Sequence, residues 1–93
     1  MNETNSEPDR EQATLRAQAV KQAYASQLMA KANVVGVGVG FHTRHGQRTG
    51  QVGLVVMVSQ KLPITQLQPG DVIPHEIEGV PVDIQEVGEI RAH

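Results

Sequence analysis

The clearest pattern in the chain is the alternation of apolar and small residues in Asn33 to Phe41, NVVGVGVGF. A period of two is typical of a β-strand, because successive side chains point to opposite faces of the sheet. One face is glycine at three positions: Gly36, Gly38 and Gly40. Glycine loses more backbone entropy on ordering than other residues, so three in one strand need a structural reason. The pattern predicts that another element packs tightly against these glycines, either the N-terminal helix of the same chain or a helix or sheet of a second copy.

A helical pattern precedes this strand. Residues 10–32 contain no Gly or Pro and are rich in Ala, Gln, Lys, Arg and Leu, which favour helices. Small and apolar residues recur there at spacings of three and four, as on one helical face: Ala13, Ala17, Val20, Tyr24 and Leu28. Residues 1–9 are polar and acidic, so we expect a disordered leader followed by a single domain over residues 10–93.

The next segments predict more strands. Val52 to Ser59 is apolar on both faces, which is typical of a central strand covered on both sides. The polar segment His42 to Gln51 between the two strands is predicted to be a loop. Gln60 to Gly70 is bracketed by prolines and predicts a short helix at Ile64 to Leu67.

The last segments predict a second hairpin. Val72 to Ile77 and Val80 to Val87 flank Glu78-Gly79, a two-residue turn signal. In this register Ile77 faces Val80. The sequence therefore predicts an α+β fold: one long N-terminal helix and a mainly antiparallel sheet of about four strands, formed by two hairpins with a short helix between them.

Composition excludes several classes of function. The formal net charge is −2, which does not favour a nucleic-acid binder. No Cys is present, so disulfides and thiolate chemistry are excluded, and a reducing, cytoplasmic compartment is expected. No apolar run is long enough to cross a membrane. We therefore expect no nucleic-acid and no membrane partner.

Candidate chemistry is sparse. His42 and His45 lie three residues apart beside Arg44 and Arg48, which suits an anion or nucleotide better than a metal cation. A solvated loop is the alternative reading. The serines lie in no nucleophile motif. We therefore predict a non-enzyme without cofactor or metal.

Charge is unevenly distributed. Residues 33–61 carry Arg44, Arg48 and Lys61 and no acidic residue, whereas residues 62–93 carry six acidic residues and only one basic residue, Arg91. Two solvated faces would explain this distribution. Alternatively, a basic hairpin tip could meet an acidic hairpin of a neighbouring subunit, which would generate a ring or a filament.

The stretch from about Asn33 to Ile90 resembles a known family. Its most specific parts are NVVGVGVG, the apolar strand that leads into Lys61-Leu62-Pro63, and the segment from Ile73-Pro74 to Gly88. It is similar to the N-terminal region that precedes the trypsin-like peptidase domain in some bacterial proteins and in the plant narrow-leaf family. The resemblance implies multimeric assembly. It carries no catalytic residue onto this chain, since the peptidase chemistry of those relatives lies downstream.

These observations lead to three functional hypotheses. The first is a non-catalytic module that forms a homo-oligomer through its sheet and helix. Its predicted contact residues are Val35, Val37, Val39, Val55 and Met57, with Arg44 and Arg48 at the rim. The second is a regulatory or pro-segment-like partner of a separately encoded trypsin-like serine peptidase. The third is anion or nucleotide binding by the His42 to Arg48 segment.

Overall fold

Over the residues that the structure describes, the fold consists of one helix, four strands and two single 3-10 turns. The structure, a computed structural model, describes residues 6–44 and 47–88, with side-chain environments for residues 11–42 and 50–88. The elements are α1 (Ser6–Met29), β1 (Val34–Arg44), β2 (Gln47–Val58), 3-10 turns at Ile64–Gln66 and Pro69–Asp71, β3 (Glu76–Ile77) and β4 (Val80–Glu86). The predicted α+β class is confirmed. The helix begins at Ser6, so its first turn includes residues that the sequence assigns to the leader.

The four strands form one sheet in the order β1-β2-β4-β3. The pairs β1–β2 and β3–β4 are antiparallel, as predicted, whereas β2 and β4 are parallel. A parallel pair needs a long return connection, because the chain must come back to the end where the first strand began. Residues 59–75, here called the crossover segment, make this return and lead into β3.

The β1–β2 hairpin is longer than the sequence predicts. The expected loop over residues 42–51 is wrong, because both strands continue to Arg44 and Gln47. Where the helix does not cover the sheet, a strand can be polar on both faces. Its sequence then lacks the alternation of apolar and polar residues from which a strand is predicted. The register shifts between Val34 and Gly36, where β1 has one extra residue, and again between Phe41 and Thr43.

The core lies between α1 and one face of the sheet. Ala17, Val20 and Leu28 of the helix are buried to 0 %, 4 % and 2 % exposure. These belong to the predicted helical face, and Tyr24 packs at its margin. The sheet contributes alternate residues of β2, β4 and the end of β3: Leu54, Val56, Val58, Val80, Val82 and Ile77. Burying this aliphatic set is the main stabilising contribution to the fold.

The second face of β2 differs from the prediction. Val55 and Met57 alternate with the core residues and are only half-buried. Neither belongs to the core cluster. The prediction that β2 is covered on both sides is therefore wrong for the described part of the chain. Although β2 is apolar on both faces, only the face towards α1 is fully buried.

The second hairpin forms in the predicted register. Ile77 pairs with Val80, and the Val82 amide donates to the His75 carbonyl over 2.9 Å. The turn residues Glu78 and Gly79 have φ of 51° and 81°. Positive φ at both central residues is typical of the type I′ turn, whose twist matches that of the flanking strands.

Candidate functional site

The three glycines of β1 lie on the sheet face opposite to α1. A Cβ added at Gly36 would lie 2.9 Å from Met57 Cε, and one added at Gly40 would lie 3.2 Å from Val55 Cγ2. A Cβ at Gly38 would have no atom within 4 Å. None of these contacts is with the helix. The predicted packing of α1 against the glycines is therefore wrong, because the helix covers the valine face of β1 instead.

We call the surface formed by Gly36, Gly38, Gly40, Val55 and Met57 the glycine face. Its strand pairs are Gly36 with Met57, Gly38 with Val55, and Gly40 with Gly53. Among the described residues, no helix or turn contributes a core side chain to this face. It is therefore a partly apolar surface on the side of the sheet away from the core.

Gly53 on β2 has a structural role that the sequence pattern does not predict. It is buried, and a Cβ there would collide with the Pro81 carbonyl oxygen and lie 2.9 Å from Pro81 Cγ. Gly53 thus allows β4 to approach β2 closely. The signal in the sequence is weak, since Gly53 stands alone in an apolar run and Pro81 is distant along the chain.

The outer edge of β1 forms one margin of the sheet, where no other described strand pairs with it. The Val58 carbonyl accepts a hydrogen bond from the Val87 amide over 2.8 Å, so Val58 directs its backbone groups towards β4. Because successive residues of a strand alternate in this direction, Met57 and Val55 direct theirs towards β1. Their partners, Gly36 and Gly38, face β2 in return. Consequently, Val37 and Val39 direct their N–H and C=O groups outward.

The opposite edge of the sheet offers little backbone for pairing with another strand. There the edge strand β3 has only two residues, Glu76 and Ile77. Pro74 precedes it, and proline has no amide hydrogen to donate. By contrast, β1 is an edge strand of eleven residues and has neither proline nor a charged residue before Arg44. Short strands and proline protect sheet edges from further pairing, and β1 lacks both.

The structure places the predicted contact residues on different surfaces. Val37 and Val39 pack against the core on the α1 side, whereas Val55 and Met57 lie on the glycine face. Val35, at the extra residue of β1, is 37 % exposed. The backbones of Arg44 and Arg48 belong to β1 and β2, but their side chains lie outside the described environments. The five of these residues with described side chains therefore do not form one continuous patch, since they lie on both faces of the sheet.

A cleft of about 560 Å³ lies between the crossover segment and the sheet. Its aliphatic lining includes Leu62, Ile64, Leu67, Ile73 and Ile84, and Ile64 is 70 % exposed. Polar contacts hold one wall against the C-terminal end of α1. The Ala32 amide donates to Asp71 Oδ1 over 3.0 Å, and Lys31 Nζ donates to the Gly70 carbonyl over 2.6 Å. The crossover segment is thus attached to the short connection between α1 and β1, and the Lys61 amide, which donates to Glu86 Oε1 over 3.1 Å, attaches it to β4.

The second hairpin is also connected to the helix. Tyr24 Oη donates to Glu78 Oε2 over 2.6 Å. This hydrogen bond and the negative charge of Glu78 raise the pKa of the Tyr24 phenol above its ordinary value of 10.0. The contact spans 54 positions of sequence, so it joins the first and last parts of the domain.

The predicted anion loop is only partly visible. His42 is half-buried on β1 and lines the cleft between the crossover segment and the sheet. His45 lies outside the described residues. Over the described ranges, no group of three or more His, Cys, Asp or Glu is arranged to hold a metal ion. In the same ranges, no helix combines the length and apolarity that a membrane span requires.

Comparison with known families gives the assignment. The model of the NARROW LEAF 1 N-terminal domain matches residues 10–87. The chain belongs to this family. The match to the NARROW LEAF 1 N-terminal domain begins in α1 and ends just after β4, so it includes the helix, which the resemblance seen in the sequence did not cover. No curated protein matches the chain.

Proposed function

We propose that this domain is a non-catalytic assembly module that self-associates through the outer edge of β1. The observation that carries the proposal is the length of this edge strand, Val34–Arg44, at one margin of the sheet β1-β2-β4-β3. A strand edge presents backbone donors and acceptors in a fixed row, and another strand is the partner that satisfies them best.

The composition of the edge supports this proposal. From Val34 to Phe41 the strand has no charged residue and no proline, the usual means of preventing strand addition. Val37 and Val39 are only partly buried although they face the core. A strand added beside β1 would cover their open flank and increase the buried apolar area.

Gly38 provides a matched pair of substitutions for testing the proposal. Space beside it is open, so both Gly38→Ala and Gly38→Lys fit the monomer. Lysine on an edge strand opposes pairing, because association brings like charges together and desolvates them. We expect wild type and Gly38→Ala to sediment as an oligomer and Gly38→Lys to sediment as a monomer of unchanged circular dichroism.

A wild-type protein that sediments as a monomer throughout the micromolar range would contradict the proposal. So would a folded Gly38→Lys variant that associates as strongly as wild type. The alternative partner, a separately encoded trypsin-like serine peptidase, would use the same edge to bind an extended segment. That alternative predicts a monomer in isolation, so the sedimentation experiment separates the two functions.

A further inference from the structure

We infer that two copies join through antiparallel pairing of their β1 strands, across a two-fold axis that passes beside Gly38. This inference rests on the proposed self-association and specifies its geometry. The partner is a second copy of this chain, and the product is one continuous sheet of eight strands built from two four-stranded sheets.

The direction of the backbone groups determines how β1 can pair. Val37 and Val39 direct their N–H and C=O groups away from β2, as derived from the β1–β2 register and the Val58–Val87 hydrogen bond. In an antiparallel ladder, two outward-facing residues opposite each other exchange two hydrogen bonds. Placing Val37 of one copy opposite Val39 of the second meets this condition. The two-fold axis then generates the same pair again, with Val39 of the first copy opposite Val37 of the second.

Two-fold symmetry restricts the register further. The axis must be perpendicular to the sheet, so the valine faces of the two copies, and with them the two α1 helices, lie on the same side. Glycine therefore stands opposite glycine, and valine opposite valine. Placing the axis at Gly38 sets Gly38 opposite its own copy and Gly36 opposite Gly40 of the other copy.

The irregularities of β1 support an axis at this position. The register shifts between Val34 and Gly36 and between Phe41 and Thr43. A pairing centred on Gly38 joins residues 36–40 of each copy, which lie between these two irregularities. It leaves Arg44 outside the paired segment, so the two cations do not oppose each other. The β1 glycines of the two copies then lie side by side on one face of the joined sheet, and Val55 and Met57 of each copy border them.

Cysteine cross-linking tests this geometry, because the native chain has no Cys. Gly38 of the two copies would form a non-hydrogen-bonded pair with Cα atoms about 4.5 Å apart, a distance that a disulfide spans. The space beside Gly38 accommodates the side chain of Gly38→Cys. The matched control is Val55→Cys on the same face, whose copies would be three strand spacings apart, or about 14 Å.

We expect Gly38→Cys to give a covalent dimer under mild oxidation and Val55→Cys to remain non-covalent. Each reduced variant is first checked for wild-type circular dichroism and sedimentation. A wild-type oligomer combined with no cross-link at Gly38, or with equal cross-linking at both positions, would overturn the inferred pairing and leave the proposed self-association intact. A monomeric wild type would instead remove the proposed function itself.

Discussion

At the scale of single residues, glycines with the same sequence pattern have different physical roles. Gly38 has open space where a side chain would lie, whereas the backbone of Pro81 fills the equivalent space at Gly53. Neither residue has a positive φ, so backbone strain does not distinguish them. Only the position of the neighbouring strand does.

Alanine substitution should separate these two roles. Gly38→Ala should raise the free energy of unfolding by about 0.5 kcal/mol, because alanine reduces the entropy of the unfolded chain and meets no atom in the fold. Gly53→Ala should lower it by about 2 kcal/mol or more, because β4 must move away from β2. Urea denaturation of both variants at equal protein concentration measures the difference. Equal effects would contradict the described contact between Gly53 and Pro81.

Tyr24 gives a pH prediction with a clean optical signal, because the chain has one Tyr and no Trp. Glu78 raises the pKa of the phenol above 10.0 by accepting its hydrogen bond and by its charge. The raised pKa means that the stabilisation from this contact is fully present below pH 10.0 and is lost as the pH rises through the folded-state pKa. Titration of the near-ultraviolet tyrosinate absorbance should therefore show a lower pKa in Glu78→Gln than in wild type.

The control for this titration is Glu76→Gln, which removes an exposed carboxylate two residues before Glu78 and leaves the Tyr24–Glu78 hydrogen bond in place. Its midpoint should remain close to that of wild type. A wild-type midpoint at or below the ordinary value for tyrosine would show that the contact with Glu78 does not form in solution.

At the scale of elements, the sequence was a good guide where one face of an element is buried. The face of α1 and the register of the second hairpin follow from spacing and from the Glu78-Gly79 turn, because both signals are local. The parallel pairing of β2 with β4 could not be predicted in this way. It depends on the path of the crossover segment, which is set by distant contacts such as Asp71 with the Ala32 amide.

The position of the candidate surface could not be predicted from the sequence. Alternation showed that the glycines of β1 share a face, yet it carries no information on which face the helix covers. Val37 and Val39 were therefore assigned to an interaction surface although they pack against the core. The outward direction of their backbone groups follows from the sheet order, which a single sequence does not reveal.

The Asp71 side chain makes one of the two hydrogen bonds that attach the crossover segment to the connection between α1 and β1. Asp71→Ala removes the acceptor of the Ala32 amide and should lower the free energy of unfolding by about 1 kcal/mol. Asp71→Asn keeps an oxygen acceptor and should lose less. Chemical denaturation of the three proteins gives the order wild type, Asn, Ala, and an alanine variant as stable as wild type would contradict the role of this bond.

At the scale of the whole molecule, one face of the sheet carries the core and the other is the glycine face. A chain of this size buries a limited share of its surface, so association of native copies should add measurably to stability. Because a partner that binds only the folded state stabilises it by mass action, the melting temperature of wild type should rise with protein concentration. Calorimetry of Gly38→Lys over the same range should show a melting temperature independent of concentration.

The unequal margins of the sheet also limit how far assembly can proceed. Once two copies have joined at their long strands, the ends left in the product are the two-residue β3 strands with Pro74 beside them. These ends offer a third molecule little backbone to continue from. If the proposed pairing forms, growth by this route would therefore terminate at a pair and would not propagate into fibres, even though the joining strand is rich in valine and carries no charge where the two copies would meet.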